Sequence, residues 1–324
     1  MTASHQFKVD FVRAHGNPLC RGTIRDRFED FQVVEVPSYE IAGEGEHCLL
    51  HVRKRGANTG WVANQIARFA GVRTFDVGFA GRKDRHAETT QWFSCWLPGR
   101  ADPDWQALNA EGVEILAIKR HNRKLKKGAL KGNRFTIVVR ELSCGQGGRA
   151  AIAERLEIIK TEGVPNYFGE QRFGQAMKNL ELADQMLKRE IRVKDKQLKG
   201  LYLSAARSYL FNTSLAERVR DGSWCQRKES GGSSIGSLFG KGEFDSPWER
   251  KTEEQMSDWC ETLLQLGMKR SYRALMMEPE NFSWDFMGPD CVKLEFELAR
   301  GCYATSLLRE FVDWRVPGEE EADA

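Results

Sequence analysis

The sequence lacks the patterns that mark most metal-dependent and cofactor-dependent proteins. Its eight cysteines are widely spaced and no two form a Cys-x-x-Cys pair, which argues against zinc fingers and dithiol redox motifs. No Gly-x-Gly-x-x-Gly stands between a strand and a helix, and Gly240-Lys241 is followed by Gly242 where a phosphate loop requires Ser or Thr. We therefore expect chemistry without a metal ion, a dinucleotide or another small-molecule cofactor.

Long apolar runs are also missing. No stretch of about 18 apolar residues could span a bilayer, and residues 1–10 carry no apolar signal-peptide core. We expect a cytoplasmic monomer without a membrane partner, whose cysteines are reduced and structural. The chain has 324 residues, 41% apolar and 29% charged, so it is long enough to bury a substantial core and to divide into two compact units.

Basic side chains are abundant but unevenly distributed. The net charge is only +3, yet residues 119–134 contain eight Lys or Arg and no acid, and residues 188–199 contain six against two acids. Such clusters suit a phosphate backbone, because cation contacts and counterion release supply much of the affinity for nucleic acids. The alternative for either cluster is a solvated face or loop. Together they predict a nucleic-acid partner.

The hydrophobic pattern predicts strands at both ends of the chain and helices between them. The clearest predicted strands lie within residues 19–55, 75–80, 91–97, 134–140 and 291–298. One helix is expected to begin after Asn58 or Thr59 and to end at Gly71.

A Gly-rich junction at residues 143–148 precedes the helical part of the chain. Helical periodicity dominates from residue 150 to about residue 266, with a Gly/Ser-rich interruption at residues 231–242, and a further helix is predicted over residues 303–314. This order predicts a sheet-rich domain built from both chain ends, with a mostly helical segment inserted between them.

Asp84 stands among four basic or potentially basic side chains, within residues 78–91 (GFAGRKDRHAETTQ). The neighbouring cations favour an ionised carboxylate, which makes Asp84 available as a nucleophile or base. Gly78 and Gly81 allow close backbone approach. A solvated turn is the alternative. A metal site is not expected, because two-metal chemistry needs several converging carboxylates.

Residues 78–92 closely resemble the signature of the TruD family of tRNA pseudouridine synthases. Five other stretches agree with the family in the same order, namely residues 29–35, 43–47, 131–135, 164–174 and 303–310. The match spans nearly the whole chain, and the ordered agreement of several motifs makes the resemblance specific.

The resemblance implies a fold and an activity. The fold is α+β, with a pseudouridine-synthase-like mixed, mainly antiparallel sheet in a discontinuous catalytic domain of residues 1–150 and 276–324, and a mostly helical TRUD insertion domain of residues 151–275. Family members isomerise uridine 13 of tRNA by breaking the N1–C1′ bond and rejoining C1′ to uracil C5, without a cofactor. The essential aspartate falls on Asp84, which would attack C1′, add to C6 or help withdraw a C2′ proton.

Other roles carry over by position. Phe31 would stack on an extruded uracil, Asn133 would offer its amide to the base or the backbone, and Tyr303 would form a second aromatic wall where the family can carry phenylalanine. Four basic side chains are candidate phosphate contacts: Lys83, Arg85, His86 and Arg172, the last of which is otherwise a strut between domains. By pattern alone, Phe31 is a core residue, Asn133 a turn residue, Tyr303 a packing residue and His86 a surface histidine.

A second hypothesis is a non-catalytic RNA-binding or RNA-chaperoning protein in which Asp84 is only structural. Both hypotheses predict salt-sensitive RNA binding, but only the enzyme yields a product. A third possibility, a metal-dependent nuclease, predicts strand cleavage that a chelator abolishes.

Overall fold

A computed structural model describes residues 7–108, 110–145, 147–227, 233–244 and 246–318. Its strands are β1 (Cys20–Thr23), β2 (Phe31–Pro37), β3 (His47–Arg55), β4 (Val77–Phe79), β5 (Glu88–Trp96), β6 (Val113–His121), β7 (Leu130–Cys144), β8 (Val164–Pro165), β9 (Ile235–Leu238), β10 (Ser271–Ala274), β11 (Met276–Met277), β12 (Glu280–Gly288), β13 (Cys291–Ala299) and β14 (Val312–Arg315). Its α-helices are α1 (Thr59–Ala70), α2 (Gly148–Glu162), α3 (Lys178–Leu187), α4 (Lys196–Arg220), α5 (Pro247–Gln255), α6 (Ser257–Gln265) and α7 (Ala304–Leu308).

The chain forms two compact units. The sheet-rich unit contains Cys20–Gly148, Pro279–Gly301 and the chain from Val312, and the helical unit contains the chain up to Leu19, Arg149–Glu278 and Cys302–Phe311. The sheet-rich unit therefore combines a segment that begins at Cys20 with segments from the last part of the chain. The boundaries differ from the predicted ones, because the segments that end at Leu19 and at Phe311 group with the helices.

The sheet-rich unit is built on one sheet in the order β12-β13-β7-β2-β5-β3-β6, with β1 joining β7 to β14 and β4 added beside β5. The β2–β5 and β1–β14 pairs are parallel and the other pairs are antiparallel. The predicted α+β class with a mixed, mainly antiparallel sheet is therefore confirmed.

Alternating apolar residues explain why these strands form. In β13, Val292, Leu294, Phe296 and Leu298 are buried on one face, as the two-residue period of a strand requires. The same period in β3 buries Cys48, Leu50 and Val52, and it also buries Lys54. A charged side chain therefore occupies a core-facing position at the end of β3.

Helix α1 packs beside the sheet and matches its prediction. Val62 and Ile66 belong to one buried cluster with Leu50 of β3 and Phe93 of β5. The helix ends at Gly71, whose φ of 63° is a left-handed conformation that glycine adopts without strain.

The helical unit is organised around α4, which is 25 residues long. The Asp195 carboxylate caps this helix by accepting hydrogen bonds from the backbone of Gln197 and Leu198. Part of the Gly/Ser-rich interruption forms β9, which pairs with β10, whereas residues 231–232 lie outside the described residues. Within the described ranges, no helix is both long enough and apolar enough to cross a membrane.

The helix predicted over residues 303–314 is wrong beyond its first turns. Helix α7 ends at Leu308, and Val312–Arg315 form β14, which pairs in parallel with β1 from Cys20↔Val312 to Thr23↔Arg315. A partner strand almost 300 residues earlier in the chain satisfies the backbone here. Local periodicity carries no information about that partner.

Candidate active site

Asp84 lies in the loop of residues 80–87, called here the signature loop, between the antiparallel neighbours β4 and β5. The loop backbone is held by hydrogen bonds at four places. Two loop carbonyls accept from outside the loop: Ala80 O from Gly128 N at 2.7 Å, and Gly81 O from Gln91 Nε2 at 3.0 Å. In addition, Lys83 N donates to Thr59 Oγ1 at 2.9 Å, and Asp84 O accepts from Lys54 Nζ at 2.8 Å. A solvated turn does not need such support. The loop is therefore a fixed platform for Asp84.

Gly78 is required just before the signature loop, as its motif suggested. A Cβ atom at this position would lie 2.4 Å from the backbone oxygen of Leu125, far inside the usual contact distance. At Gly81 the nearest atom to such a Cβ would be Lys83 Nζ, at 3.7 Å, which is an ordinary contact. Close approach therefore explains Gly78 but not Gly81.

Lys54 supports the loop from the core-facing end of β3. Its fully buried ammonium donates to Ala57 O at 2.7 Å as well as to Asp84 O. Burial lowers the pKa of Lys54 to about 8, an effect that nearby Asp84 opposes and Lys83 reinforces. Our sequence reasoning missed Lys54. The available signal was its place in the alternation of Cys48, Leu50 and Val52.

The Asp84 carboxylate has a donor on each oxygen. Oδ2 accepts a hydrogen bond from Arg25 Nη2 at 2.7 Å, and Oδ1 accepts one from the backbone N of His86 at 3.0 Å. The Arg25 side chain is 9% exposed, whereas that of Asp84 is 31% exposed. These contacts orient the carboxylate while leaving it accessible to a ligand.

Arg25 also connects Asp84 to Phe31. Its guanidinium carbon lies 4.4 Å from the centre of the Phe31 ring, which is a cation–π geometry. Phe31 is only 4% exposed, and Phe135 packs edge-on against it with ring centres 6.3 Å apart. Most of the Phe31 ring is therefore packed in the core, next to the residue that holds Asp84. Arg25 has a φ of 60°, unusual for a residue other than glycine, and nothing in its sequence neighbourhood indicated its role.

The side chains of Lys83 and Asn133 are in direct contact. Lys83 Nζ lies 2.7 Å from Asn133 Oδ1 and 3.1 Å from Glu35 Oε2. The Lys83 side chain is 7% exposed, so its ammonium faces the protein and is poorly placed for the phosphate contact predicted for it. Burial raises the pKa of Glu35, and the Lys83 charge opposes that shift.

Arg85 and His86 extend from the signature loop into solvent. Arg85 Nε donates to Gly56 O at 3.1 Å. Arg85 is therefore an accessible cation and His86 a potential one. Both lie next to the carboxylate of Asp84, which is itself only partly covered. Their predicted contact with phosphate stays a prediction.

Arg172 and Tyr303 meet in the helical unit. Arg172 donates from Nη2 to the Tyr303 hydroxyl at 2.8 Å and from Nη1 to Ser204 Oγ at 3.0 Å. Phe168 packs against both side chains, with its ring centre 5.2 Å from the Arg172 guanidinium carbon and 6.0 Å from the Tyr303 ring centre. These contacts make Arg172 a strut within its own unit. The Asp84 cluster belongs to the sheet-rich unit.

Part of the first basic cluster, residues 119–134, lines clefts of the sheet-rich unit. One cleft of about 620 Å³ is bordered by Tyr39, His121, Arg123, Lys124 and Lys126. A second, of about 600 Å³, also contains Tyr39 and extends to Lys131 and Arg300. The bond from Gly128 N to Ala80 O ties this cluster to the signature loop.

Among the described residues, no three His, Cys, Asp or Glu side chains converge so as to hold a metal ion.

Comparison with known proteins agrees with the motifs of the sequence. The sequence profile described as "tRNA pseudouridine synthase D (TruD)" matches residues 12–194 and 249–311. A tRNA pseudouridine synthase D of Cellvibrio japonicus is 43% identical, with 100% of both chains covered, and one of Methylococcus capsulatus is 42% identical over 95% of this chain and 96% of its own. A crystal structure of a putative tRNA pseudouridine synthase D from Methanosarcina mazei has a TM-score of 0.65 over 93% of this chain and 95% of that one, at 19% identity, which shows the fold alone.

Proposed function

Because this chain belongs to the TruD family of tRNA pseudouridine synthases, we propose that it isomerises uridine 13 of tRNA to pseudouridine, with Asp84 as the catalytic carboxylate. The reaction breaks the N1–C1′ bond and joins C1′ to C5, so substrate and product have the same mass and no oxidant is consumed. The observation that carries the proposal is a partly exposed aspartate on a loop fixed at four backbone positions.

Preorganisation supports the assignment of Asp84. A reacting group is most effective when its surroundings hold it in the reactive orientation before the substrate arrives. Arg25 and the His86 backbone hold the two carboxylate oxygens, and Lys54 holds the backbone of the same residue. The remaining lone pairs of the oxygens are available for the sugar or the base.

The pocket for the target uridine would be built next to this carboxylate. A uridine within folded tRNA must leave its stack before a side chain can reach C1′, at a cost of a few kcal/mol that aromatic and polar contacts offset. Phe31 lies against Arg25, which bonds the Asp84 carboxylate, and Asn133 lies against Lys83, the residue before Asp84 in the chain. Tyr303 is proposed as a further aromatic contact.

The basic clefts would hold the RNA backbone. Arg123 and Lys126 are exposed, and the segment that contains them is bonded to the signature loop through Gly128. Phosphates on either side of a flipped nucleotide need such cations, since backbone contacts position a nucleic acid while base contacts select the target. Arg85 and His86 would extend this surface up to the reacting nucleotide.

The direct test uses purified protein, a chelator and an unmodified tRNA transcript. Chemical labelling should locate pseudouridine at position 13 without strand cleavage or a change of mass. Asp84→Asn should bind the tRNA as tightly as the unchanged protein and form no pseudouridine. Normal product from Asp84→Asn would refute the catalytic role. Tight binding without product from the unchanged protein would favour the RNA-chaperone hypothesis, and chelator-sensitive cleavage would favour the nuclease.

A further inference from the structure

Asn133 stands opposite Glu35 in the paired strands β7 and β2. Both side chains meet Lys83, which precedes the catalytic candidate in the chain. The Lys83 ammonium lies 2.7 Å from Asn133 Oδ1 and 3.1 Å from Glu35 Oε2, and the Glu35 side chain is fully buried. Three residues from separate parts of the sequence thus form one polar group around the Lys83 ammonium.

The chemistry of this group determines which way the Asn133 amide points. An ammonium can only donate hydrogen bonds, whereas an amide has an accepting oxygen and a donating NH₂ group. If the amide were rotated by 180°, its NH₂ would face the Lys83 donors. Lys83 therefore holds the amide oxygen, and the NH₂ is the end directed away from it.

Glu35 keeps the Lys83 ammonium at this position. A buried ammonium without an opposite charge or hydrogen-bond acceptors is strongly destabilised, so it moves to water when it can. Glu35 supplies the negative charge from the core side. Without that carboxylate, Lys83 would have less reason to remain beside Asn133, and the amide could adopt both orientations.

We propose that Glu35 and Lys83 are positioning residues that lock the Asn133 amide with its NH₂ group toward the substrate, so that the site selects a carbonyl oxygen of the target base. The inference rests on the proposed function, in which Asn133 contacts uridine. Uracil carries carbonyl oxygens at positions 2 and 4, whereas cytosine carries an amino group at position 4. A locked donor at position 4 would disfavour cytosine, because two donors would then face each other.

The test compares tRNAs that carry uridine, 2-thiouridine or 4-thiouridine at the target position. Sulfur is a weaker acceptor than oxygen, so kcat/KM of the unchanged protein should fall roughly tenfold for the thio-base that the amide contacts. In Glu35→Gln, kcat/KM for uridine should fall by a similar factor, and the difference between uridine and that thio-base should largely disappear. The tRNA Kd should not change, because Glu35 is buried.

Two further variants separate positioning from folding. Glu35→Gln combined with Lys83→Met removes both charges, which is tolerated better than leaving one of them buried alone. This double variant should fold normally. It should still lose the thio penalty, which is the fall in kcat/KM for the contacted thio-base relative to uridine. Glu114→Gln, at an exposed ion pair with Arg53 in the same unit, is the matched control and should retain the penalty.

The outcomes distinguish this inference from the proposed function. A protein that makes pseudouridine, while Glu35→Gln and the double variant keep the full thio penalty, overturns the positioning role alone. Equal rates for uridine and both thio-bases with the unchanged protein also overturn it. If the unchanged protein forms no pseudouridine in any tRNA, the proposed function fails and the inference falls with it.

Discussion

Arg25 Nη2 donates a 2.7 Å hydrogen bond to Asp84 Oδ2 from a position 59 residues earlier in the chain. The same guanidinium lies over the ring of Phe31. One largely buried cation thus connects the carboxylate to the neighbouring aromatic residue, and it adopts a left-handed backbone conformation to do so. A strained backbone at the residue that orients Asp84 supports the proposal that this carboxylate has a functional role.

Arg25→Ala should lower kcat by on the order of a hundredfold, because a carboxylate without its partner is free to leave the reactive orientation. The tRNA Kd should change little, since the Arg25 side chain is only 9% exposed. Single-turnover formation of pseudouridine and a binding titration measure the two quantities. Arg21→Ala, at an exposed residue of β1, is the control. Equal rates for Arg25→Ala and Arg21→Ala would contradict the prediction.

Lys54→Met should change stability in a pH-dependent way. The folded pKa of Lys54 is about 8, below the unfolded value of about 10.4, so the unfolded chain binds more protons between these values. The contribution of Lys54 to the free energy of unfolding of the unchanged protein therefore rises with pH across this window. The loss of unfolding free energy caused by Lys54→Met should be larger at about pH 9.5 than at about pH 7.5, by roughly 2 kcal/mol.

Urea denaturation of the two proteins at both pH values measures that difference. Lys131→Met is a suitable control, because its side chain is mostly exposed and should give a loss that is independent of pH. A pH-independent loss for Lys54→Met would show that the ammonium is not desolvated in the folded protein.

Arg123→Ala combined with Lys126→Ala should weaken tRNA binding. Each lost phosphate contact should also reduce the slope of log Kobs against log salt concentration by about 1. The rate of the bound complex should be unaffected, because neither residue contacts Asp84 in this structure. Binding titrations at several salt concentrations provide the slopes. Lys251→Ala, which removes an exposed lysine paired with Glu217, should leave the slope unchanged. If the double variant has the same slope as the unchanged protein, the cleft does not bind the RNA.

Much of the fold was predictable because it depends on short-range pattern. The alternation in β13 and the terminal glycine of α1 are local signals, and both elements lie where they were expected. β14 was not predictable in this way. Its apolar residues also fit a helix, and only its pairing with β1 excludes that interpretation.

The candidate site stands out in the sequence in part for the same reason. Asp84 stands out locally, through its basic neighbours and the glycine at position 78. Arg25 and Glu35 reach the site only after strands far apart in the chain have paired, so no local pattern identifies them. Lys54 could have been identified in part from the local sequence, because the alternating pattern of its strand predicts that this charged position is buried.

Tyr303→Phe tests whether Tyr303 acts through its ring or through its hydroxyl. The hydroxyl accepts a hydrogen bond from Arg172, so its removal should cost about 1 kcal/mol of unfolding free energy. If the ring contacts the uridine, Tyr303→Phe should keep most of kcat/KM, because the aromatic face is preserved, whereas Tyr303→Ala should lose at least about tenfold through lost stacking.

Tyr272→Phe is the matched control for stability, since Tyr272 is 53% exposed in the same helical unit. Pseudouridine formation and thermal unfolding should be measured on all three variants. If Tyr303→Ala retains full activity, Tyr303 has only a packing role beside Phe168, and the second wall of the uridine pocket must come from another residue. A large loss of activity in Tyr303→Phe would instead assign the function to the hydroxyl and its bond to Arg172.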